Sequence, residues 1–566
     1  MTRGSPARAQ PIEPPSSAGT IAEPGRNCWR VARADRFRCI QDAAEYFALV
    51  RRALLSARHS VFILGWDILA AVNLLPTATG AHDGPTQLDE LLAFIARRRP
   101  RLRCYILIWD YAAVYALERD PLSRWRLGWR MPRHVRFRFD DRHPVGGSHH
   151  QKIVVVDDQL AFCGGIDLTG HRWDTSAHRV EEPARVNSVG EAYTPYHEVQ
   201  ALVSGAAAAS LSELARQRWH ALGLKRLPPL RASTDDLWPS DVPADLTDVD
   251  VAISRTMPAM DDEPSIRECE TLFLDSIARA ERSIYIESQY FTNETIGDAL
   301  ARRLAQPDGP EIVIVSPAEC EGWLERNTMG AFRAGVFKRL LAADTYKRLR
   351  LVQPMASRAR NVPTFVHSKV MVADDRFVRI GSANLSRRSM GVDTECDLAV
   401  DAAGDPRIEA GVRQIRTRLL AEHLGLSVET VARELDAGMT LRSLVDAGLE
   451  RDHTLVPLEL PAETEAEPPP GLRDAADPDE PILAGADTLE GRRSTRWIDV
   501  VTTVLLVAGV AALLRHTAQD LTTLNALLAM VATVLLVAVA VALRAALLVS
   551  QRAPALRRQR ERAEFG

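Results

Sequence analysis

Two short segments carry the same pattern. His150-Gln151-Lys152-Ile153-Val154-Val155-Val156-Asp157 and His367-Ser368-Lys369-Val370-Met371-Val372-Ala373-Asp374 both read H-x-K-x4-D, with their histidines 217 positions apart. Each runs on alike, into Gly164-Gly165-Ile166-Asp167 and Gly381-Ser382-Ala383-Asn384, seven residues after the aspartate. Two buried strands that merely follow a histidine would not explain the lysines. The chain has five (152, 225, 338, 347 and 369) among 70 Lys+Arg, and two of the five stand two places after a histidine. The flanks repeat as well: the apolar run at Ser60 and that at Ser283 lie 223 positions apart. Two similar offsets mean that one supersecondary unit has been built twice.

The residues resemble the phospholipase D superfamily, whose signature is a duplicated motif of this form. Gly165-Ile166-Asp167-Leu168 with Arg172-Trp173-Asp174-Thr175, and Ile284-Tyr285-Ile286-Glu287-Ser288-Gln289-Tyr290-Phe291, look like its lipid-hydrolysing or cardiolipin synthase-like branch. The resemblance covers roughly Cys28 to Leu424. It implies an α/β fold of two phospholipase D-type α-β-α sandwich halves packed as a pseudo-dimer, one chain sufficing for activity.

In H-x-K on a strand, residues i and i+2 share a face, so each motif offers one imidazole and one ammonium. Two copies together supply a nucleophile, a proton donor and two cations for phosphate oxygens, which is covalent catalysis with general-acid help. The resemblance implies His150 as nucleophile and His367 as acid, with Lys152 and Lys369 holding the phosphate. Asn384, in Gly381-Ser382-Ala383-Asn384, matches the family's phosphate-donor position, and Asp167 stands in its place in the first copy. A catalytic imidazole needs its second nitrogen held, usually by a carboxylate. Glu395 matches the family's carboxylate after the second motif, and Glu198 takes the corresponding place after the first. Asp157 and Asp374 belong to the motifs but are expected to fix their loops. His149 should face away from the site, while His171, His178 and His197 are candidates for the mouth of the first half. Zinc would want further His or Cys at set spacing and lysine is a poor ligand, so neither metal nor other cofactor is expected.

Around these motifs the pattern alternates strand and helix. Ala43–Ala57, Leu88–Arg99, Leu272–Arg282 and Ile296–Leu304 have helical spacing. Ser60–Asp67, Arg103–Trp109, Ser283–Glu287 and Glu311–Val315 read as buried strands, which predicts parallel pairing. Residues 1–26 are expected to be a disordered tail and 27–231 the first half. A Pro- and Asp-rich linker spans 232–262, the second half 263–424, and helices 425–460. Ser123 to His143 interleaves seven arginines with Trp125, Trp129, Phe137 and Phe139. It suits a solvated edge, a lip on anionic headgroups or a stacking surface for single strands equally well.

Residues 461–495 have the Pro- and acid-rich composition of a flexible tether. Trp497–Leu514 and Leu521–Leu543 then give 18 and 23 residues with one charge between them. At 1.5 Å per residue these span about 27 and 34 Å, enough for a transmembrane hairpin over 496–550. Arg492, Arg493 and Arg496 precede it and six arginines follow, from Arg544 through the basic tail 551–566. The positive-inside rule puts both ends in the cytoplasm, hanging the catalytic unit from the inner membrane. Seven cysteines, odd in number and without C-x-x-C, suit a reducing compartment. A net charge of −4 argues against a globally basic nucleic-acid binder. The leading expectation is a membrane-anchored enzyme that cleaves glycerophospholipid to phosphatidic acid and alcohol. The alternatives are a phosphatidyltransferase of the cardiolipin synthase type, a nuclease, and an inactive lipid-binding scaffold.

Overall fold

The computed structural model describes residues 19–77, 83–110, 125–144, 146–229, 236–260, 263–319, 323–459, 473–474 and 476–481. The first half comprises β1 (Arg30–Gln41), α1 (Asp42–Ser56), β2 (Ser60–Gly65), α2 (Leu88–Arg98), β3 (Arg103–Trp109), β4 (Val135–Asp140), β5 (Lys152–Val156), β6 (Leu160–Gly164), β7 (Tyr196–His197), β8 (Val199–Gly205) and α3 (Ala206–Ala221). The second comprises β9 (Leu246–Met257), β10 (Ile266–Arg267), α4 (Glu268–Arg279), β11 (Ser283–Ser288), α5 (Glu294–Leu304), β12 (Glu311–Val315), α6 (Trp323–Ala343), β13 (Leu349–Ser357), β14 (Val362–Pro363), β15 (Phe365–Val366), β16 (Lys369–Ala373), β17 (Phe377–Gly381), α7 (Arg387–Gly391), β18 (Glu395–Asp401) and α8 (Pro406–His423). Two short helices, α9 (Val428–Asp436) and α10 (Leu441–Gly448), and β19 (Thr454–Pro457) follow.

The duplication is visible strand by strand. In the first half the hydrogen-bonded order is β4-β3-β2-β5-β6-β8-β1. In the second it is β13-β12-β11-β16-β17-β18-β9. β1 and β9 pair with each other, Arg30 opposite Ile253, which joins the halves in one mixed ladder. The expected parallel pairing holds for β2-β3-β4 and β11-β12-β13. The remaining pairings of these ladders are antiparallel, since hairpins such as Val156-Asp157-Asp158-Gln159-Leu160 are too short for a crossover.

Three large apolar cores follow from this layering among the described residues. Inward residues of both sheets, Ile153, Val155, Val370 and Val372 among them, pack with α3 and α8 between the halves. A second core lies under α1 and α2, a third under α4, α5 and α6. The strands are apolar throughout because both faces are covered: β2 and β5 are buried at every residue.

Several boundaries move. The stretch read as linker, 232–262, contains β9, which pairs on both sides with β1 and β18. Its solvent-facing acids, exposed at Asp248 and Asp250, disguised a strand whose other face carries Val249, Val251 and Ile253, all fully buried. The tail expected over 1–26 does not extend to 26: Ile21 is buried and its N–H donates to Asp401 Oδ2 at 2.6 Å. Within the expected tether, Asp477 is fully buried and accepts from Thr292 Oγ1 at 2.5 Å and Arg388 N at 2.8 Å. A docked carboxylate in place of solvent fixes residues 473–481 where they are described. The Arg/Trp segment includes the edge strand β4, with Arg136 and Arg138 exposed and Val135 and Phe137 buried. Among the described residues no helix is long and apolar enough to cross a membrane. The hairpin expected over 496–550 and the basic tail lie outside the described residues.

Candidate active site

Each motif histidine sits just before its strand, on the entry to β5 or β16. What registers it is the other half of the molecule. His150 N donates to Thr394 O at 3.0 Å, and Thr394 N returns a bond to Ser148 O at 2.9 Å. That bridge sets the next side chain, Glu395, against the imidazole: His150 Nδ1 lies 3.1 and 3.0 Å from its two oxygens. The second motif is built the same way. β15 pairs parallel with β7, His367 N donates to His197 O at 2.9 Å, and the next residue, Glu198, takes His367 Nδ1. So each histidine is held by the carboxylate of the opposite half. A proton on Nδ1 leaves the Nε2 lone pair facing outward, the state a nucleophile or base needs. His150 keeps 15% of its side chain exposed and His367 7%, while both carboxylates are fully enclosed.

The lysines flank the pair. Lys152 Nζ donates to His150 O at 2.9 Å and lies 3.2 Å from Asp167 Oδ2. Lys369 Nζ is 3.2 Å from His367 Nδ1 and 3.4 Å from Gln289 Oε1. Burial and then the ammoniums of Lys152 and Lys369 hold His150 well below the ordinary imidazole range. Burial, Lys369, Arg172, Lys152 and His150 do the same for His367. These mutual effects put both motifs in one electrostatic site. Burial draws Lys369 down to about 7 against the opposing pull of Glu198. Burial likewise pushes Glu198 up to about 7, with Lys369 opposing, and Glu395 well above the carboxylate range, with Asp393 adding to it. Burial and the neighbouring cations thus favour the neutral form of both resting imidazoles.

The supporting residues divide. Ser382 Oγ donates to Glu395 Oε2 at 2.5 Å and accepts from Cys396 N at 3.0 Å, so its proton is committed to the carboxylate. Asp167 anchors Lys152 and accepts from Trp66 N at 3.0 Å. Asn384 is buried, and its Oδ1 has no hydrogen-bond partner among the described residues. Asp157 accepts from the N–H groups of Arg58, His59 and Ser60, each at 2.7 Å. Asp374 accepts from Glu281, Arg282 and Ser283 at 2.9, 2.7 and 2.8 Å. Both aspartates thus tie the turn before β2 or β11 to the motif strand and do not reach the imidazoles. Gly165 is required by the site itself, because a Cβ there would collide with the Glu198 carboxylate.

The other histidines divide. His178 and His197 are fully buried rather than at a mouth, and His171 is exposed beside Tyr193. His149 turns away from the site, as expected, to Thr394 Oγ1 at 3.1 Å and Asp140 Oδ1 at 3.0 Å. The residues that sequence reasoning passed over are Thr394, Ser148 and Gln289, together with Arg172, whose charge reaches His367 and Glu198. Gln289 and Arg172 lie inside stretches that carried the resemblance; Thr394 and Ser148 act through backbone atoms, which no side-chain pattern advertises.

Residues 273–415 match the family described as "Cardiolipin synthase, PLD-like domain". The matches support the phospholipase D superfamily. Phospholipase D A of Dictyostelium discoideum is 24% identical over 463 residues, taking in 68% of this chain and 35% of that protein. Phospholipase D alpha 1 of Vigna unguiculata is 25% identical over 527 residues, 67% of this chain and 64% of that one. Among solved structures, a phosphatidylserine synthase of Haemophilus influenzae aligns at a TM-score of 0.46 and 13% identity, covering 75% of this chain and 98% of that chain. This chain thus spans about a third of the length of the first of these phospholipases D.

Proposed function

We propose that this protein is a phospholipase D-type phosphodiesterase. It cleaves the headgroup from glycerophospholipids through a phosphohistidine, giving phosphatidic acid and an alcohol. The observation that carries the reading is the reciprocal bracing of two neutral imidazoles, His150 on Glu395 and His367 on Glu198, between two buried lysines. His150 Nε2 attacks phosphorus and its Nδ1–H is stabilised by Glu395 as positive charge develops. His367, protonated at Nε2 from solvent as the anionic phosphodiester binds, delivers that proton to the leaving alcohol oxygen, then takes one from water as water displaces His150 from phosphorus. Lys152, Lys369 and the Asn384 amide take up the charge on the non-bridging oxygens. The apolar segments 497–514 and 521–543 would tether this unit to the cytoplasmic face of the inner membrane, which the arginine distribution favours.

The match of residues 273–415 to a cardiolipin synthase-type domain favours a second reading, phosphatidyl transfer to a glycerol-type acceptor through the same intermediate. One experiment separates them. The full chain is incubated with mixed phospholipid vesicles, alone, with ethanol or with phosphatidylglycerol, and the lipids are read by mass spectrometry. Phosphatidic acid that becomes phosphatidylethanol in ethanol, and disappears in His150→Asn and His367→Asn, supports the phospholipase. Cardiolipin without phosphatidic acid supports the transferase. No lipid product under any acceptor sinks both.

A further inference from the structure

The segment that registers His367 runs directly into a second polar cluster. Asp42 at the start of α1, His178 in the loop before β7, His197 in β7 and Glu422 near the end of α8 each offer one ligand atom, and these atoms all lie within 4.8 Å of one another. All four residues are buried. Three come from the first half and one from the second.

We propose that these four residues hold a single divalent metal ion of the zinc class, as a structural clamp between the halves. The arrangement of the two imidazoles is the main argument. His178 turns Nδ1 outward to Asp174 Oδ2 at 3.0 Å and Nε2 inward to Glu422 Oε1 at 2.9 Å. His197 turns Nε2 outward to Glu287 Oε2 at 3.0 Å and Nδ1 inward, 2.6 Å from Glu422 Oε1 and 3.2 Å from Asp42 Oδ1. Each ring therefore has one nitrogen held by a carboxylate outside the group of four and the other aimed at its centre. This is how metal-bound histidines are set: the outer N–H donates to a carboxylate, fixing the tautomer, and the inner lone pair is left for the cation. With no cation, both inward nitrogens converge on the single oxygen Glu422 Oε1, at 2.9 and 2.6 Å, in a dry interior.

A second, independent observation points the same way. Asp42 is fully buried, and its Oδ2, 3.9 Å from His178 Nε2, has no hydrogen-bond partner among the described residues. An orphaned carboxylate oxygen in such a place is strongly unfavourable unless a cation meets it. Two carboxylates neutralise a divalent ion, and two imidazoles with two oxygens make the four-coordinate N/O set that zinc accepts. Zinc bonds of ~2.0–2.1 Å separate tetrahedral donors by about 3.3 Å, so the rings need back away from Glu422 by less than about 1 Å. No ligand of the four faces solvent, so the site is closed and structural, distinct from the phosphoryl site.

The test uses the full chain, purified without chelator, loaded with Zn2+, desalted and analysed by inductively coupled plasma mass spectrometry. About one zinc per chain is expected, falling about fivefold or more in Asp42→Asn and in His178→Gln. Should either variant fail to fold, the wild type still decides: a chelator should lower its thermal midpoint and Zn2+ should restore it, and Co2+ loading should give the visible absorption of a tetrahedral site. Less than about a tenth of an equivalent of zinc after loading, with a chelator-insensitive midpoint, overturns the proposal, as does unchanged zinc content in both variants.

Discussion

Replacing Glu395 by glutamine changes almost no volume and tests the bracing directly. The carboxylate serves three contacts: both oxygens face His150 Nδ1, at 3.1 and 3.0 Å, and Oε2 also accepts from Ser382 Oγ at 2.5 Å. A glutamine has one oxygen for two donors. If that oxygen stays on Ser382, its NH2 points at His150 Nδ1, which must then accept. The ring proton moves to Nε2 and the outward lone pair is lost. A wrong tautomer in a comparably held catalytic histidine costs about 10^4 in kcat, so a loss of about 10^3–10^4, or about 4–5.5 kcal/mol of barrier, is expected. The assay is headgroup release from phospholipid vesicles, with intact mass after an alkaline quench to count phosphatidyl-enzyme. The same geometry makes a sharper demand. Ser382→Ala removes the competing donor, so the amide can turn its oxygen to Nδ1, and Glu395→Gln/Ser382→Ala should recover about tenfold or more over Glu395→Gln alone. Glu395→Gln within about tenfold of wild type, at unchanged thermal stability, would refute the tautomer argument. Failure of the serine change to rescue would refute the Ser382 half of it.

Gly165→Ala should displace Glu198 from His367 and lower kcat by about 10^2 or more, with KM little changed, as read in the same vesicle assay. Lys369, with a folded-state pKa near 7, weakens the fold wherever the unfolded chain still holds the proton. Between about pH 7 and 10 the unfolded state binds more protons, so wild-type stability rises with pH there. Lys369→Met should accordingly be the more stable protein near neutral pH, by up to roughly 4 kcal/mol, with the gap closing toward about pH 10.5 in urea unfolding. Asp157→Ala strips the acceptor from three amides and should cost about 3 kcal/mol in denaturant unfolding. The folded fraction should keep its turnover within about tenfold, because the carboxylate only ties strands together.

The chemistry of the site was legible from spacing because its parts are local. A histidine and lysine two apart on a strand, repeated after 217 residues, announce two imidazoles and two ammoniums whatever the packing. The buried runs of β2, β3, β5, β11, β12 and β16 were legible for the same reason, as their apolar content reflects burial on both faces. β9 was not, since Leu246–Met257 mixes exposed acids with a buried edge and begins among prolines, the composition of a connection. The docked Asp477 was equally hidden, because an acid in a Pro-rich stretch reads as solvated until an amide pair and a threonine hydroxyl are placed around it.

Residue types and their spacing dictate the candidate site's equipment: which side chains, twice over, and the halved architecture that must bring them together. Who holds whom is settled only in the folded chain. Glu395 follows the second motif closely in sequence yet serves His150, 245 residues away, and Glu198 serves His367 from 169 away. That exchange comes from single backbone bridges, His150 to Thr394 and His367 to His197, which form only when the two sheets stack. The same holds for Asp42, His178, His197 and Glu422, scattered along most of the chain and joined by nothing in the pattern. Side-chain chemistry is written locally, whereas the orientation of a ring nitrogen depends on contacts that exist only once the chain has closed on itself.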